Sequence, residues 1–187
     1  MKASVLGFAG ASALLLTACA TAPAAPESAL PQPFVLERDL GGHNTARGEF
    51  RAITGTRRPF TAQLEGVQEG DVFVLTEHFA FDDGERDTKT WRLRQVAPGQ
   101  YEGTREDVVG VAIGRQDGNA FRLEYDVRLS AENDRGRVVR FRDVLFLNEQ
   151  GIGNTASVGW LGFRVGSVTI QMQRTNSQPP SPDHQGS

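Results

Sequence analysis

One cysteine, three histidines and two lysines are all that 187 residues contain of those types, and each scarcity excludes something. A single thiol, Cys19, can form neither an internal disulfide nor a multi-cysteine metal cluster. His43, His78 and His184 are scattered along the chain without ligand spacing, so neither a metal site nor a cofactor is expected. Acidic residues outnumber basic ones for a formal charge of -3, and 18 of the 20 basic residues are Arg; no basic excess points to a nucleic acid partner. No Gly-x-Ser-x-Gly elbow occurs, and the lone cysteine has another use, so no catalytic residue is assigned and the reading leans away from an enzyme. After the first 18 residues there is no long apolar run, and no segment carries a helical 3.6-residue periodicity.

What is present begins with the cysteine's setting. Lys2 precedes an apolar stretch from Val5 to Leu16, the layout of a secretory signal peptide, too short to cross a bilayer core of roughly 30 Å. The stretch ends Leu16-Thr17-Ala18-Cys19, which is the bacterial lipobox, and the Cys19 thiol is expected to accept diacylglycerol. Two or three acyl chains, at about 0.8 kcal/mol per buried methylene, anchor a protein firmly where one chain would not. Ala20 follows the cysteine; an Asp there would favour the inner membrane, so the expected location is the outer membrane, facing the periplasm. The expected organisation is a signal peptide at 1–18, a lipidated cysteine and flexible tether at 19–33, one domain at 34–175 and a disordered tail at 176–187. Four prolines in "ATAPAAPESALPQP" and the polar, Pro-rich "NSQPPSPDHQGS" carry the tether and tail readings.

The domain reads with period two. In "DVFVLTEHFAF" Phe73, Leu75, Glu77, Phe79 and Phe81 share one row, and in "AFRLEYDVRL" Phe121, Leu123, Tyr125, Val127 and Leu129 oppose Arg122, Glu124, Asp126 and Arg128. Strands are expected near 47–54, 58–68, 71–81, 88–96, 100–106, 109–116, 119–130, 137–148, 153–160 and 164–174. Turn chemistry such as Asp82-Asp83-Gly84 and Asp117-Gly118 separates them. Ten sequential strands without helices predict an all-β antiparallel meander, closed or strongly curved into a lipocalin-like barrel, with a two-sheet β-sandwich as the alternative. "GIGNTA" at 151–156 has dinucleotide-fingerprint glycines but opens no helix, and reads as a turn.

Two carboxylates interrupt apolar rows: Glu77 between Leu75 and Phe79, and Asp143 between Phe141 and Leu145. An acid facing a core costs several kcal/mol unless it is paired or hydrogen-bonded. Either the two pin the register through Arg, Trp or backbone partners, or they line a cavity and meet the polar end of a ligand. Trp91, on a face with Leu93 and Gln95, reads as core. The basic residues Arg140 and Arg142 fall on the solvent row.

Together, the lipobox, "LTEHFAFDDGERDTKTWRL", "GNAFRLEYDVRL" and the final "RVGSVTIQMQR" resemble a proteobacterial lipoprotein family known as domain of unknown function 3833. The matching positions are Glu77, Phe79, Phe81, Asp82, Asp83, Gly84, Trp91, Gly118, Ala120, Tyr125 and Val127. The chain departs from the family pattern at Arg142-Asp143-Val144, where an Asp-Asp-Trp-like segment is usual, and at Asn154-Thr155, where Asn-Arg is usual. The resemblance implies a lipid-anchored, lipocalin-like β-domain and brings no biochemical activity with it. The candidate ligand-binding residues are therefore Glu77, Asp143, Trp91, Tyr125 and Asn154. The expected function is an envelope lipoprotein binding an apolar or acyl-chain ligand, its partners the membrane and a hydrophobic small molecule. A structural or assembly factor of the envelope is the second reading, and an enzyme of membrane lipid metabolism the third.

Overall fold

A computed structural model describes residues 21–129 and 136–175, so the expected signal peptide, Cys19 and the expected tail at 176–187 lie outside the described residues. Ten antiparallel strands follow one another around a closed barrel: β1 (Gly42–Ala52), β2 (Arg57–Glu69), β3 (Val72–Phe81), β4 (Arg86–Ala97), β5 (Gln100–Thr104), β6 (Val108–Asp117), β7 (Ala120–Arg128), β8 (Val138–Asn148), β9 (Gly151–Trp160) and β10 (Phe163–Arg174). β10 closes on β1 through nine register pairs, from Asn44 with Arg174 to Ala52 with Gly166. The meander expected from the alternation is thus a barrel and not a sandwich. Closure leaves no sheet edge unpaired, and each strand's apolar row faces the interior.

Three segments differ from their sequence reading. "GIGNTA" is the start of β9 and not a turn; the tight connection lies just before it, between Asn148 and Gly151. A five-residue helix, α1 (Leu36–Leu40), precedes β1, too short to show a periodicity. The stretch expected to be a flexible tether is docked over its described part, 21–33. The Leu30 amide donates to the Leu147 carbonyl at 2.8 Å, and Asn119 Nδ2 donates to the Leu30 carbonyl at 2.8 Å. Arg122 donates to the Pro23 carbonyl at 3.0 Å, the Ser157 hydroxyl donates to the Thr21 carbonyl at 2.8 Å, and Ala25 and Ala29 pack on Ala120, Val144 and Phe146. This strap runs up the outer wall of β7 to β9.

At its lower end the strap turns into a plug. Phe34, Leu36 and Leu40 are buried, with Phe34 centred 6.4 Å from Phe121 across the barrel base. A Cβ at Gly66 would stand 2.2 Å from the Leu40 carbonyl oxygen, so the plug lies where only a glycine leaves room. Asn44, fully buried, donates its amide to that same Leu40 carbonyl at 3.3 Å. The Tyr101 hydroxyl donates to Glu37 at 3.3 Å, and burial with the Glu37 charge pushes its pKa up to about 12. The plugged end carries the β2–β3, β4–β5, β6–β7 and β8–β9 turns; the opposite end carries the β1–β2, β3–β4, β5–β6 and β9–β10 turns.

Candidate functional site

All five candidate residues point into the same space. Glu77 of β3, Trp91 of β4, Tyr125 of β7, Asp143 of β8 and Asn154 of β9 line one interior cavity of about 230 Å³ below the unplugged end. Phe50, Phe60, Phe79, Phe81 and Phe141 make its apolar wall. Phe60 meets Phe79 edge-on at 5.5 Å, and Phe79 stacks on Phe81 at 6.1 Å. Beneath lies a smaller void of about 50 Å³, bounded by the plug residues Leu36 and Leu40 and sharing Glu77, Trp91, Asp143, Asn154 and Ile170 with the cavity above. The polar residues form a partition between an aromatic chamber and a dry aliphatic base. A larger groove of about 840 Å³ runs along the outer wall past Thr45, Thr61, His78 and Gln171, but those are solvent-row side chains and the buried polar groups are elsewhere.

The partition is held by a short network. Tyr125 donates its hydroxyl to Asp143 Oδ2 at 3.0 Å, while its ring stands edge-on to Trp91 at 4.9 Å and stacks on Phe141 at 5.3 Å. Trp91 is therefore core and cavity wall at once. Arg105, from the β5–β6 turn, folds back over the aromatic pair, its guanidinium 4.6 Å from the Trp91 ring centre and 5.2 Å from that of Tyr125. From there it donates to Asp107 at 2.7 Å and stands 3.9 Å from Glu77, an ion pair longer than a hydrogen bond. Lys89 bridges Asp107 and Asp87 at 3.3 and 3.1 Å at the cavity's edge.

Two acceptors in this partition are left over. Asp143 Oδ1 and Asn154 Oδ1 are buried with no hydrogen-bond partner, on side chains that are each 8 % exposed as residues. An unsatisfied buried acceptor costs on the order of 1–3 kcal/mol, so two in one cavity are unusual.

Electrostatics follow from the burial. Removal from water pushes the Glu77 carboxyl up to about 7, against the lowering pull of Arg105 and with the Asp143 charge adding to the rise. Burial likewise pushes Asp143 up to about 6, restrained by the Tyr125 hydroxyl, Arg105 and the Asn154 amide. Tyr125 is raised well above its ordinary value by burial and by the Asp143 charge. Burial would lower Arg105, but Tyr125, Glu77 and Asp107 outweigh it and keep the guanidinium charged. Counting Glu77, Asp143, Asp107 and Asp87 against Arg105 and Lys89, the cavity is never positive around neutral pH. Among the described residues no cluster of His, Cys, Asp or Glu is arranged to hold a metal ion.

Sequence reasoning missed Arg105, Lys89 and Asp107. "GTRED" has the composition of a solvated turn, and no local signal marks an arginine whose side chain returns over a tryptophan 14 residues earlier. The aromatic wall was partly visible: Phe79 and Phe81 share the Glu77 row and Phe141 the Asp143 row, whereas Phe50 and Phe60 join it through the pairing of β1 and β2 beside β3.

The barrel is similar to two solved structures. One is the S-type phycobiliprotein lyase CPES from Guillardia theta, at 10% identity and a TM-score of 0.57, covering 75% of this chain and 91% of that one. The other is Rv2717c from M. tuberculosis, at 14% identity and a TM-score of 0.53, covering 75% of this chain and 96% of that one. At these identities the likeness is one of fold, a lipocalin-like barrel. No curated protein matches the chain. A family model spans residues 13–174, almost the whole barrel with the strap and plug, and by that match the chain belongs to the family described as Protein of unknown function (DUF3833).

Proposed function

We propose that this protein is a lipid-anchored component of the bacterial envelope, held by Cys19 at the outer membrane, whose barrel binds an apolar ligand with a hydrogen-bond-donating head. The observation that carries the reading is the pair of unpartnered acceptors, Asp143 Oδ1 and Asn154 Oδ1, at the floor of an aromatic chamber of about 230 Å³. An apolar pocket with a few convergent polar groups is the ordinary form of a small-molecule site. Here the two atoms left without partners are both acceptors. The nearest cation, Arg105, is already committed to Asp107 and Glu77. Above about pH 7, where both carboxyls are charged, a fatty-acid carboxylate would face two anions, whereas an alcohol would donate to one orphan oxygen and a primary amide or amine to both. If a methylene takes about the space of a water, near 30 Å³, the chamber encloses an alkyl chain of roughly eight carbons.

The test is native mass spectrometry of the mature protein, followed by titration with three eight-carbon probes: octanol, octylamine and octanoate. Alcohol and amine are expected to bind, with octanoate at least about tenfold weaker at pH 8. If none of the three enters, the ligand-binding reading fails and an envelope role without a ligand takes its place. If octanoate binds best, the cavity stands but the donor assignment is wrong. A co-purifying mass that changes on incubation would move the reading to an enzyme, with Glu77 as the proton acceptor to test by Glu77→Gln.

A further inference from the structure

The unplugged rim of the barrel is uneven. The three large hydrophobic side chains most exposed among the described residues are Leu161 at 76%, Ile53 at 69% and Phe163 at 60%, and all sit on two adjacent turns. The β1–β2 turn carries Ile53 and the β9–β10 turn carries Trp160, Leu161 and Phe163. The Ile53 amide joins them by donating to the Val165 carbonyl at 3.0 Å. Leu161 is also the one described non-glycine residue with a positive φ, 49°, a conformation that costs an L residue energy. The fold thus spends backbone strain on aiming an apolar side chain into solvent. Such a patch on a soluble face marks an interaction surface.

The charges beside it are basic. Arg51, Arg57 and Arg164 flank the two turns, and the Arg137 guanidinium lies 4.7 Å over the Trp160 ring. Among the described residues of this sector Glu49 is the acid, paired with Arg51 at 2.9 Å and Arg57 at 3.9 Å, and the described side chains are net positive. Asp82, Asp83 and Glu85 belong to the β3–β4 turn on another sector of the rim, where Arg58 joins Asp83 and Glu85.

The strap says what lies against this sector. It climbs the outer wall and ends, as described, with the Thr21 carbonyl on Ser157, three residues before Trp160 on the same strand. Three strand residues span about 10 Å. Cys19 is two residues upstream of Thr21, a reach of at most about 7 Å. A free tether would let the barrel face any direction; a docked strap delivers its anchor beside the apolar turns.

We propose that the barrel sits mouth-down on the lipid bilayer, with Ile53, Trp160, Leu161 and Phe163 in the interfacial layer and the flanking arginines on anionic headgroups. An aromatic and aliphatic tip ringed by basic residues is the composition that binds such an interface. The chamber then opens towards lipid, and an apolar ligand enters without crossing water. This orientation rests on the lipidation of Cys19 and is independent of which ligand the chamber holds.

The test uses the full chain, exported and matured in bacteria, carrying either Leu161→Cys at the rim or Gln100→Cys at the plugged end. Lipidation consumes the Cys19 thiol, so each introduced cysteine is then the one free thiol to take an environment-sensitive fluorophore. Intact mass first reports whether Cys19 is acylated. In phosphatidylethanolamine–phosphatidylglycerol vesicles with a lipid-borne quencher, the label at 161 is expected to be quenched at least about threefold more than that at 100. Equal quenching, or stronger quenching at 100, overturns the orientation even with Cys19 acylated. A label at 161 shielded without lipid, at rising protein concentration, makes the patch a self-association face and overturns it as well. If the mass shows a free Cys19, the anchoring reading fails. The orientation, which rests on that anchor, is then overturned with it.

Discussion

Tyr125 spends its hydroxyl on one oxygen of Asp143, at 3.0 Å, and leaves the other oxygen buried and unpartnered. The pair joins β7 to β8 at a level where Leu123 is the register partner of Asp143, so the hydrogen bond runs diagonally inside the barrel. A structural carboxylate would be expected to have both oxygens satisfied. Asp143 keeps one oxygen without a partner on a residue that lines the chamber, and that is the feature the proposed binding role would use.

The first prediction concerns pH. Glu77 and Asp143 sit at about 7 and about 6 in the folded protein against 4.5 and 3.8 for the free groups. For an acid raised by folding, the folded state holds the proton longer than the unfolded one. The associated stability is therefore fully present below about pH 4 and is lost as pH rises through 6 and 7. At about 1.4 kcal/mol per unit, the two together imply a loss of a few kcal/mol between pH 4 and pH 8. Asp107, lowered on balance by Arg105 and Lys89 despite its burial, acts the opposite way, and its contribution is lost only in stronger acid. Urea unfolding at pH 5 and pH 8 is expected to show the lower midpoint at pH 8, and Glu77→Gln to flatten the difference. A midpoint that rises towards pH 8 in the wild type would rule this account out.

The second prediction concerns Arg105. Replacing it with Met keeps bulk over Trp91 but strands Glu77 and leaves Asp107 with Lys89 alone, and removal of one partner from a buried pair costs about 3–5 kcal/mol. Arg105→Lys is expected to recover little of that. An ammonium cannot lie flat over Trp91 and Tyr125 while also reaching Asp107. The accompanying signature is a further rise in the Glu77 pKa, readable from the carboxylate shift in NMR. An Arg105→Met protein as stable as wild type, with Glu77 unmoved, would mean the arginine is merely a neighbour.

These two residues also mark the limit of what the sequence discloses. Glu77 was legible because a strand's period of two assigns every side chain a face, and an acid on the Phe73–Phe81 row stands out against it. Asp143 was legible for the same reason on β8, as were all ten strands between their turn residues. Arg105 was not, because it lies just past the end of β5, and only the β4–β5 register, Arg92 with Thr104, sets it beside Trp91. The plug was hidden by length, since five residues cannot show a helical repeat. The strap was hidden by composition: alanines and prolines read alike in a free linker and against a wall, and the wall that receives them, Ala120, Val144 and Phe146, is assembled from two strands.

The third prediction tests the plug. A methyl at Gly66 would stand 2.2 Å from the Leu40 carbonyl and 2.7 Å from the Phe73 ring, and the carbonyl is backbone that cannot yield cheaply. Gly66→Ala is expected to cost about 2–4 kcal/mol by displacing α1, in the range of overpacked cores, and a Tm lower by roughly 5–15 °C for a domain of this size. Val67→Ala, next in sequence but 45% exposed, is the control and should stay within about 1 kcal/mol of wild type. Equal behaviour of the two variants would show that the helix does not press on β2.

The last prediction separates a docked strap from a loose one. The Leu30 amide donates to the Leu147 carbonyl at 2.8 Å, and its own carbonyl accepts from Asn119. In a flexible tether that amide would exchange with deuterium at the rate of an unstructured peptide. Docked, it is expected to be protected by about two orders of magnitude, corresponding to an opening free energy near 3 kcal/mol. Asn119→Ala removes one tie and Ser157→Ala another, so the double variant should speed exchange at Leu30 while leaving the Val144 amide in the barrel wall unchanged. That contrast matters, because global destabilisation would accelerate both. Exchange at Leu30 already fast in the wild type would release the strap from the wall, and the limit that Thr21 sets on the reach of Cys19 would go with it.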